Sequence, residues 1–327
     1  MKKLIILILA VILGVKVFPI GVKIVNLPNN IKAEENVVKE TFVRNLSELE
    51  IYDFLSIYVI DENIYITNWT PRELVKLSLQ GKLLGRAGRQ GQGPGEFLWM
   101  ETVYEFNGNI ALLDSRRFVL MLYTKTLKFI REMRLKKHQM GFMVDNENNF
   151  IFFGSRQRDF YFEKYSKDMV PIEYFGPSVS SRSSWKNKKL FDDVRCALYV
   201  PEENGIWAAF KDRYDIRYYK NQKLAVEIKA EKGFFEIEEE NVGGRIVVWC
   251  RKGRALHLAK SGNKLFYFFL NNGVSYCDIF DSKSFRLLRR VAFKHYHISI
   301  SHYKENIFYS LSNDKSEDDL QLFKLKL

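Results

Sequence analysis

Beyond residue 34 the chain consists of short runs in which apolar and polar residues alternate, and these runs are rich in Val, Ile, Tyr and Phe. Asn, Asp, Gly and Lys separate the runs, and no stretch keeps apolar residues at helical spacing over the length of a helix. Alternation places successive side chains on opposite faces of a strand. The pattern therefore predicts an all-β fold built from many short strands.

One sequence pattern recurs six times: an apolar strand, a turn of acidic, Asn or Gly type, a stronger apolar strand, a polar corner and two further strands. The copies lie at 57–69, 103–115, 142–155, 197–210, 256–269 and 298–311, with equivalent positions 40 to 59 residues apart. A four-stranded unit that repeats about every 40–50 residues is typical of a β-propeller blade. The longer spacings predict loop insertions at 177–193 and 230–253.

The two ends of this repeat array predict how the ring closes. The sixth copy supplies only three strands before Leu327, whereas one additional alternating run, Val37 to Leu46, precedes the first copy. Pairing that run onto the last blade would close the ring and cover an open sheet edge. We therefore predict a six-bladed β-propeller of four-stranded antiparallel blades over residues 34–327, with a β-sandwich as the alternative.

Residues 1–33 have the composition of an export segment. Lys2 and Lys3 precede an unbroken apolar run from Leu4 to Val15, as in a secretory signal peptide or a short membrane anchor. A buried helix is the third interpretation, and Ala33 marks a late cleavage position. We expect an extracytoplasmic protein, whether periplasmic, secreted or membrane-anchored, in which only an uncleaved N-terminal segment contacts the membrane.

Composition and charge restrict the class of protein further. A chain with 46% hydrophobic and 28% charged residues is a folding sequence, not a disordered one. Its net charge is +12, of which the lysines in residues 1–33 supply five, so the remaining domain is mildly basic and suits an acidic partner. Cys196, Cys250 and Cys277 are odd in number, and no Cys–His spacing indicates structural zinc.

Two motifs carry a family resemblance. The segment Gly85–Phe97, GRAGRQGQGPGEF, resembles the inter-blade segment of six-bladed propellers with NHL-type repeats, and Asp114 to Phe118, DSRRF, resembles their strand-end Asp and basic corner. The resemblance implies a bacterial, exported propeller whose relatives include binding scaffolds, RNA-binding domains and a few enzymes. We interpret the Gly-rich segment as an inter-blade turn and not as a phosphate cradle, because its spacing fits neither common phosphate-binding motif.

In such a propeller, two kinds of loop emerge on the same face. They are the corners between the second and third strands of each blade and the crossovers that join one blade to the next. We call this face the crossover face. Both predicted insertions lie there, and long loops on a rigid scaffold commonly bind ligands. Arginine suits this role because it binds carboxylate or phosphate through two hydrogen bonds. The predicted ligand-binding residues on this face are Arg72, Arg86, Arg89, Arg116, Arg117, Arg156, Arg158 and Arg213, with Trp69 and Trp185 as stacking surfaces.

These residues predict an exported, non-catalytic, monomeric binding protein that recognises a protein, peptide or polysaccharide of anionic character. The alternative for the same arginines is a solvated rim of weak ion pairs. The basic corners would also suit nucleic acid, but the export segment argues against a nucleic-acid partner.

A metal-dependent lyase or hydrolase is the alternative function. Some NHL-like lyases and related propeller hydrolases hold a metal in the central channel, and His257 and His297 occupy matching phases on neighbouring innermost strands. No third ligand is evident, and no G-x-S-x-G, H-E-x-x-H or EF-hand pattern occurs. We therefore expect no catalytic residue and no cofactor, with a divalent metal at these two histidines as the alternative.

Overall fold

The computed structural model describes residues 22–28, 30–154, 160–177, 194–210, 213–230, 238–242, 245–249, 253–313 and 320–327. Within these ranges, strands form six antiparallel sheets of four strands each, one of which gains a fifth strand in parallel, and a separate hairpin. The innermost strands of the six sheets contact one another in a closed ring. The fold is the predicted six-bladed propeller, and the sandwich is excluded. None of the described residues belongs to a helix long and apolar enough to span a membrane.

The first three blades follow the chain from the axis outward. Blade one contains β3 (Asp53–Ile60), β4 (Asn63–Thr70), β5 (Glu73–Ser78) and β6 (Leu83–Ala87). Blade two contains β7 (Met100–Phe106), β8 (Asn109–Asp114), β9 (Val119–Tyr123) and β10 (Phe129–Arg134). Blade three contains β11 (Gly141–Val144), β12 (Phe150–Phe153), β13 (Phe160–Tyr165) and β14 (Pro171–Pro177).

The last three blades repeat this order, with the hairpin lying between blades four and five. Blade four contains β15 (Val194–Val200), β16 (Gly205–Phe210), β17 (Asp215–Lys220) and β18 (Lys223–Ala230), and β19 (Glu238–Val242) and β20 (Arg245–Trp249) form the hairpin. Blade five contains β21 (Gly253–Ser261), β22 (Lys264–Asn271), β23 (Val274–Asp281) and β24 (Leu287–Ala292). Blade six contains β25 (His297–Lys304), β26 (Ile307–Asn313) and β27 (Leu320–Lys326).

The N-terminal part of the chain closes the ring. Strand β2 (Lys39–Asn45) pairs antiparallel with β27 and supplies the fourth strand of blade six, which confirms the closure predicted for Val37 to Leu46. The recurring sequence pattern is confirmed as well, because its strong apolar strand is the second strand of every blade.

One strand was not predicted. Strand β1 (Lys23–Leu27) pairs in parallel with β18 and adds a fifth strand to the outer edge of blade four. Farther along, Glu34 forms a bridge with Val291 on the outer edge of blade five. The chain thus follows the rim of the propeller before it reaches β2. The apolar run Leu4–Val15 of the predicted export segment 1–33 lies outside the described residues, so the assignment of a signal peptide or anchor stays a prediction.

Apolar side chains fill the spaces between neighbouring blades. The cluster between blades four and five includes Trp207 and Tyr267, and the cluster between blades six and one includes Tyr309 and Ile66. Four further clusters occupy the other boundaries. Each sheet therefore buries both of its faces against neighbours, as radial stacking of blades requires.

A polar cluster holds the closing strand. The Glu40 carboxylate of β2 lies 2.6 Å from His295 Nδ1 and 3.1 Å from His297 Nε2, and it accepts the Lys294 N–H at 2.6 Å. The Ser310 hydroxyl is 2.9 Å from the other ring nitrogen of His297. Burial acts to raise the pKa of Glu40, but hydrogen bonds from the histidines and Lys294 outweigh it and lower the pKa from 4.5 to about 2.

We expect Glu40→Gln to destabilise the propeller in a pH-dependent way. A lowered pKa in the folded state stabilises the protein above pH 4.5, and this contribution is lost as pH falls towards 2. The variant should lose on the order of 2 kcal/mol of unfolding free energy at neutral pH and match the wild type near the acid end. Urea unfolding at several pH values measures this. Glu35→Gln, an exposed carboxylate on the same segment, is the control, and a pH-independent loss would contradict the assignment.

Candidate functional site

A cavity of about 740 Å³ occupies the axis of the propeller, and all six innermost strands line it. Cavities of this size commonly hold small ligands or parts of larger ones. Because the innermost strands all run from the crossover face to the opposite face, the cavity has two chemically distinct ends. The crossover end is lined by Trp99, Ser115, Arg116, His138 and Arg195.

The carboxylate of Asp114 organises this end of the cavity. Asp114 ends β8 and is fully buried. It accepts the backbone N–H groups of Leu98, Trp99, Arg116 and Arg117 at 2.6 to 3.1 Å. The Asp114 side chain therefore joins two segments: the crossover before blade two, at Leu98 and Trp99, and the corner that carries Arg116 and Arg117. This explains why an Asp precedes the basic corner that the sequence analysis singled out.

Two tryptophans and two arginines form a stacked array on the crossover face. The rings of Trp69 and Trp99 meet edge to face, with centroids 4.4 Å apart. The Arg72 guanidinium lies 4.1 Å from the Trp69 ring centroid, and the Arg116 guanidinium lies 4.7 Å from that of Trp99. Cation–π contacts of this kind orient a guanidinium while leaving its N–H edge free to bind. Neither arginine pairs with a carboxylate of the described residues.

Two further arginines meet beside the cavity. Arg195 and Arg254 are the second residues of β15 and β21, which are neighbouring innermost strands. Arg254 Nε is buried and has no hydrogen-bond partner within the described structure. Burial lowers the pKa of Arg254, and the positive charge of Arg195 lowers it further. No described carboxylate forms an ion pair with either side chain.

Glu101 places an acid near these cations. Its carboxylate accepts a hydrogen bond from the Ser115 hydroxyl at 3.1 Å, while the Tyr58 hydroxyl donates to the Glu101 carbonyl at 2.6 Å. Burial raises the pKa of Glu101, opposed by the Ser115 hydrogen bond and the charge of Arg195. Burial also raises the pKa of Tyr58 to about 12, so that its hydroxyl stays protonated.

The Gly-rich segment binds its own carboxylate. Gly93 N–H donates to Glu96 at 2.8 Å, and Arg89 Nε lies 2.7 Å from the same side chain. The Phe97 ring is fully buried against Gly88, which has φ +82° and would place any Cβ only 2.0 Å from that ring. This arrangement supports the inter-blade turn, because a side-chain carboxylate already fills the position of a phosphate.

Other predicted arginines are also engaged in the fold. Arg86 pairs with Glu73, and Arg213 Nε lies 2.9 Å from Asp215. Such contacts fix the crossovers to their blades and match the ion-paired alternative for these positions. Arg156, Arg158 and Trp185 lie outside the described residues.

Arg117 is largely buried and links three chain segments. Its guanidinium donates to the carbonyls of Glu96 and Gln92 at 2.6 and 2.9 Å and pairs with Glu132 at 2.7 Å. The exposed fraction of its side chain is only 8%. Arg116, the preceding residue, instead points to the cavity. The two adjacent arginines thus differ in surroundings, one internal and one facing the cavity.

The two predicted metal-binding histidines lie in different surroundings. His257 lines the cavity, and burial lowers its pKa to about 3, which keeps the ring neutral. His297 is fully buried, with its ring nitrogens facing Glu40 and Ser310. In the part of the chain that the structure describes, no group of three His, Cys, Asp or Glu side chains could hold a metal ion.

Several residues of this site are not apparent from the sequence. They are Trp99, Glu101, Arg195 and Arg254. Arg195 and Arg254 each follow one of the two predicted insertions and begin an innermost strand. Their position after a crossover is therefore the sequence signal that could have indicated them.

Comparison with known proteins agrees with this architecture. A model of the DUF5128 family, described as a 6-bladed beta-propeller, matches residues 46–320. Among curated proteins no match is found. A candidate exported protein from Bacteroides fragilis has a similar structure, with 12% identity, a TM-score of 0.64, and coverage of 93% of this chain and 99% of its own.

Two further solved structures are similar in fold. A DUF4221 family member from Bacteroides vulgatus has 10% identity and a TM-score of 0.63, covering 90% of this chain and 99% of its own. A catalytically inactive virginiamycin B lyase from Staphylococcus aureus, solved with quinupristin, has 12% identity and a TM-score of 0.55, covering 89% and 99%. At these identities the likeness concerns the fold alone.

We expect Asp114→Asn to destabilise the protein by about 3 kcal/mol, because the buried amide keeps only one acceptor oxygen for four backbone N–H groups. Chemical denaturation with far-ultraviolet circular dichroism measures the loss. Asp168→Asn, an exposed residue in a turn of blade three, should leave stability within about 0.5 kcal/mol. Equal stability of the two variants would contradict the role of Asp114.

Proposed function

This chain belongs to the six-bladed β-propeller family DUF5128, and from that premise we propose that it is an exported binding protein which captures an anionic ligand at the crossover end of its axial cavity. The ligand is a peptide, a polysaccharide or an envelope protein that presents carboxylate or phosphate groups. The protein acts without catalysis and as a monomer.

One observation carries the proposal: four arginines at or beside this end have no ion-pair partner among the described residues. Arg195 and Arg254 adjoin on neighbouring strands, while Arg72 and Arg116 are oriented by the tryptophan rings. The Nε atom of Arg254 is buried without a hydrogen-bond partner among the described residues, which is costly, and an anion that accepts its hydrogen bond would offset that cost. Arg116 and Arg195 are exposed and accessible to the same anion. Arg86, Arg89, Arg117 and Arg213 are each paired with a carboxylate, so among the described predicted arginines Arg72 and Arg116 remain available for an anion.

The acidic and aromatic neighbours supply selectivity. Ser115 and Tyr58 hold Glu101 near the cations, where its carboxylate is a hydrogen-bond acceptor, and the cavity has room for a few residues of a peptide or sugar chain. A ligand that carries a hydroxyl or amide next to its carboxylate satisfies more of these groups than a simple ion does. The site therefore favours acidic oligomers over inorganic anions.

Export rests on two supports. The basic and apolar run at residues 2–15 has the layout of a signal peptide or anchor, and a protein of similar fold from Bacteroides fragilis is itself described as a candidate exported protein. The NHL-type relation rests on the motif at Gly85–Phe97 and belongs to the same proposal. An extracytoplasmic location brings the propeller into contact with acidic envelope polymers.

We expect Arg195→Ala to weaken binding of acidic oligomers by roughly tenfold or more, because the adjacent Arg254 alone offers fewer hydrogen bonds to a carboxylate. Calorimetric titration with hexaglutamate and with a galacturonate hexamer measures this and distinguishes peptide from polysaccharide. Arg131→Ala, which removes an exposed arginine from the outer strand of blade two, is the matched control. No binding of either oligomer, or equal binding by both variants, would contradict the proposal.

Metal analysis separates this proposal from the metal-dependent lyase or hydrolase. We expect purified protein to hold less than stoichiometric divalent metal, since the two histidines named for that site do not share a pocket. Plasma mass spectrometry of protein purified without chelator gives the metal content. Stoichiometric metal that is lost in the His257→Ala, His297→Ala double variant would instead favour the enzyme.

A further inference from the structure

The opposite face carries the turns between the first and second strands of each blade and those between the third and fourth strands. We call it the turn face. Each blade places an exposed lysine at its third-to-fourth turn or the equivalent strand end. These six residues, Lys82, Lys128, Lys167, Lys223, Lys283 and Lys326, are the basic rim. None of them forms an ion pair with a described carboxylate.

The rim is reinforced where strands pair like charges. Lys220 lies directly opposite Lys223 in blade four, and Lys39 lies directly opposite Lys326 in blade six. Like charges at opposed positions destabilise a sheet. No described carboxylate forms an ion pair with any of these four lysines, so the two pairs concentrate positive charge on the rim.

Nearer the axis, the same face is largely neutral. Lys125 pairs with Asp61 at 2.5 Å, and Lys260 pairs with Glu202 at 2.7 Å. In blade three, Lys164 lies 2.7 Å from Asp145. The acids of the first-to-second turns are thus partly matched by inner lysines. Lys167 adjoins the exposed Asp168, and Lys283 shares its turn with Asp281, but the other four rim lysines have no Asp or Glu in their own turn. Positive charge therefore predominates at the periphery.

The N-terminal segment reaches the propeller at this rim. Strand β1 runs parallel to β18, which begins at the turn face, so Lys23 lies at the turn face and Leu27 nearer the crossover face. Lys23 Nζ donates to the Ser284 carbonyl at 2.7 Å, beside Lys283 of the rim. The apolar run Leu4–Val15 is therefore separated from the basic rim by only a few residues of chain.

We propose that the turn face docks on an anionic lipid surface, with the uncleaved apolar segment as anchor and the basic rim bound to lipid headgroups. One apolar segment combined with a basic surface gives stable attachment where either alone is weaker. The orientation that results turns the arginines of the crossover face and the mouth of the cavity away from the membrane. Docking is independent of the ligand proposed for that mouth.

Amine footprinting of the full-length chain in lipid vesicles tests the orientation. The protein is reconstituted in phosphatidylcholine vesicles with or without phosphatidylglycerol, acetylated for increasing times and analysed by mass spectrometry. We expect the rim lysines to react about threefold or more slowly in the anionic vesicles, because headgroups restrict the reagent. Lys136 and Lys137, which are exposed in a crossover, should react equally in both.

Matched double variants test the contribution of charge. Lys128→Glu with Lys283→Glu should restore fast labelling of the four remaining rim lysines, whereas Lys136→Glu with Lys137→Glu should leave their protection intact. High salt should have the same effect as the rim variant. Equal labelling of rim and crossover lysines in anionic vesicles would overturn the proposal, as would equal rim protection in vesicles without phosphatidylglycerol. If the protein did not bind acidic oligomers but its rim lysines were still protected from acetylation in anionic vesicles, only the ligand proposal would be contradicted.

Discussion

The whole molecule depends on one requirement: each four-stranded sheet must bury two apolar faces. Strands such as β12, with four buried residues in succession, leave no face for solvent. A sheet in the middle of a stack finds a neighbour on each side, but the first and last sheets find one only if the stack forms a ring. Strand β2 completes blade six and thereby the ring. The placement of Glu40 follows, because a carboxylate held by two histidines secures that closing strand.

A closed ring also provides the rigidity that the crossover face needs. The crossovers are long, yet Asp114 and Arg117 fix the one before blade two through several hydrogen bonds. The arginines of this face consequently divide into two groups. Those in ion pairs, such as Arg86, hold loops to blades, whereas Arg116 and Arg195 face the cavity without an ion-pair partner among the described residues. Only the second group retains its capacity to bind.

Periodicity was sufficient for the architecture because strand spacing and closure depend on burial, which apolar residues reveal. Periodicity was insufficient to predict β1, since a short edge strand that pairs in parallel leaves no distinct pattern of apolar residues in the sequence. The prediction that His257 and His297 point to the same side of their strands shows a second limit of periodicity. Bulges after Ala255 and after His297 each insert a residue into an innermost strand, and a shift by one position exchanges the faces that side chains point to. Such bulges set the composition of the cavity, and nothing in a single sequence locates them.

The same topology that forms the ring sorts the two kinds of basic residue. Crossovers carry arginines whose planar groups are oriented by Trp69 and Trp99, an arrangement suited to a ligand of defined shape. The third-to-fourth turns carry lysines such as Lys82 and Lys167, exposed and unpaired among the described residues, which suit a diffuse negative surface with no fixed geometry. Within the propeller, the arginines of the crossovers and the lysines of the third-to-fourth turns therefore lie on two separate surfaces.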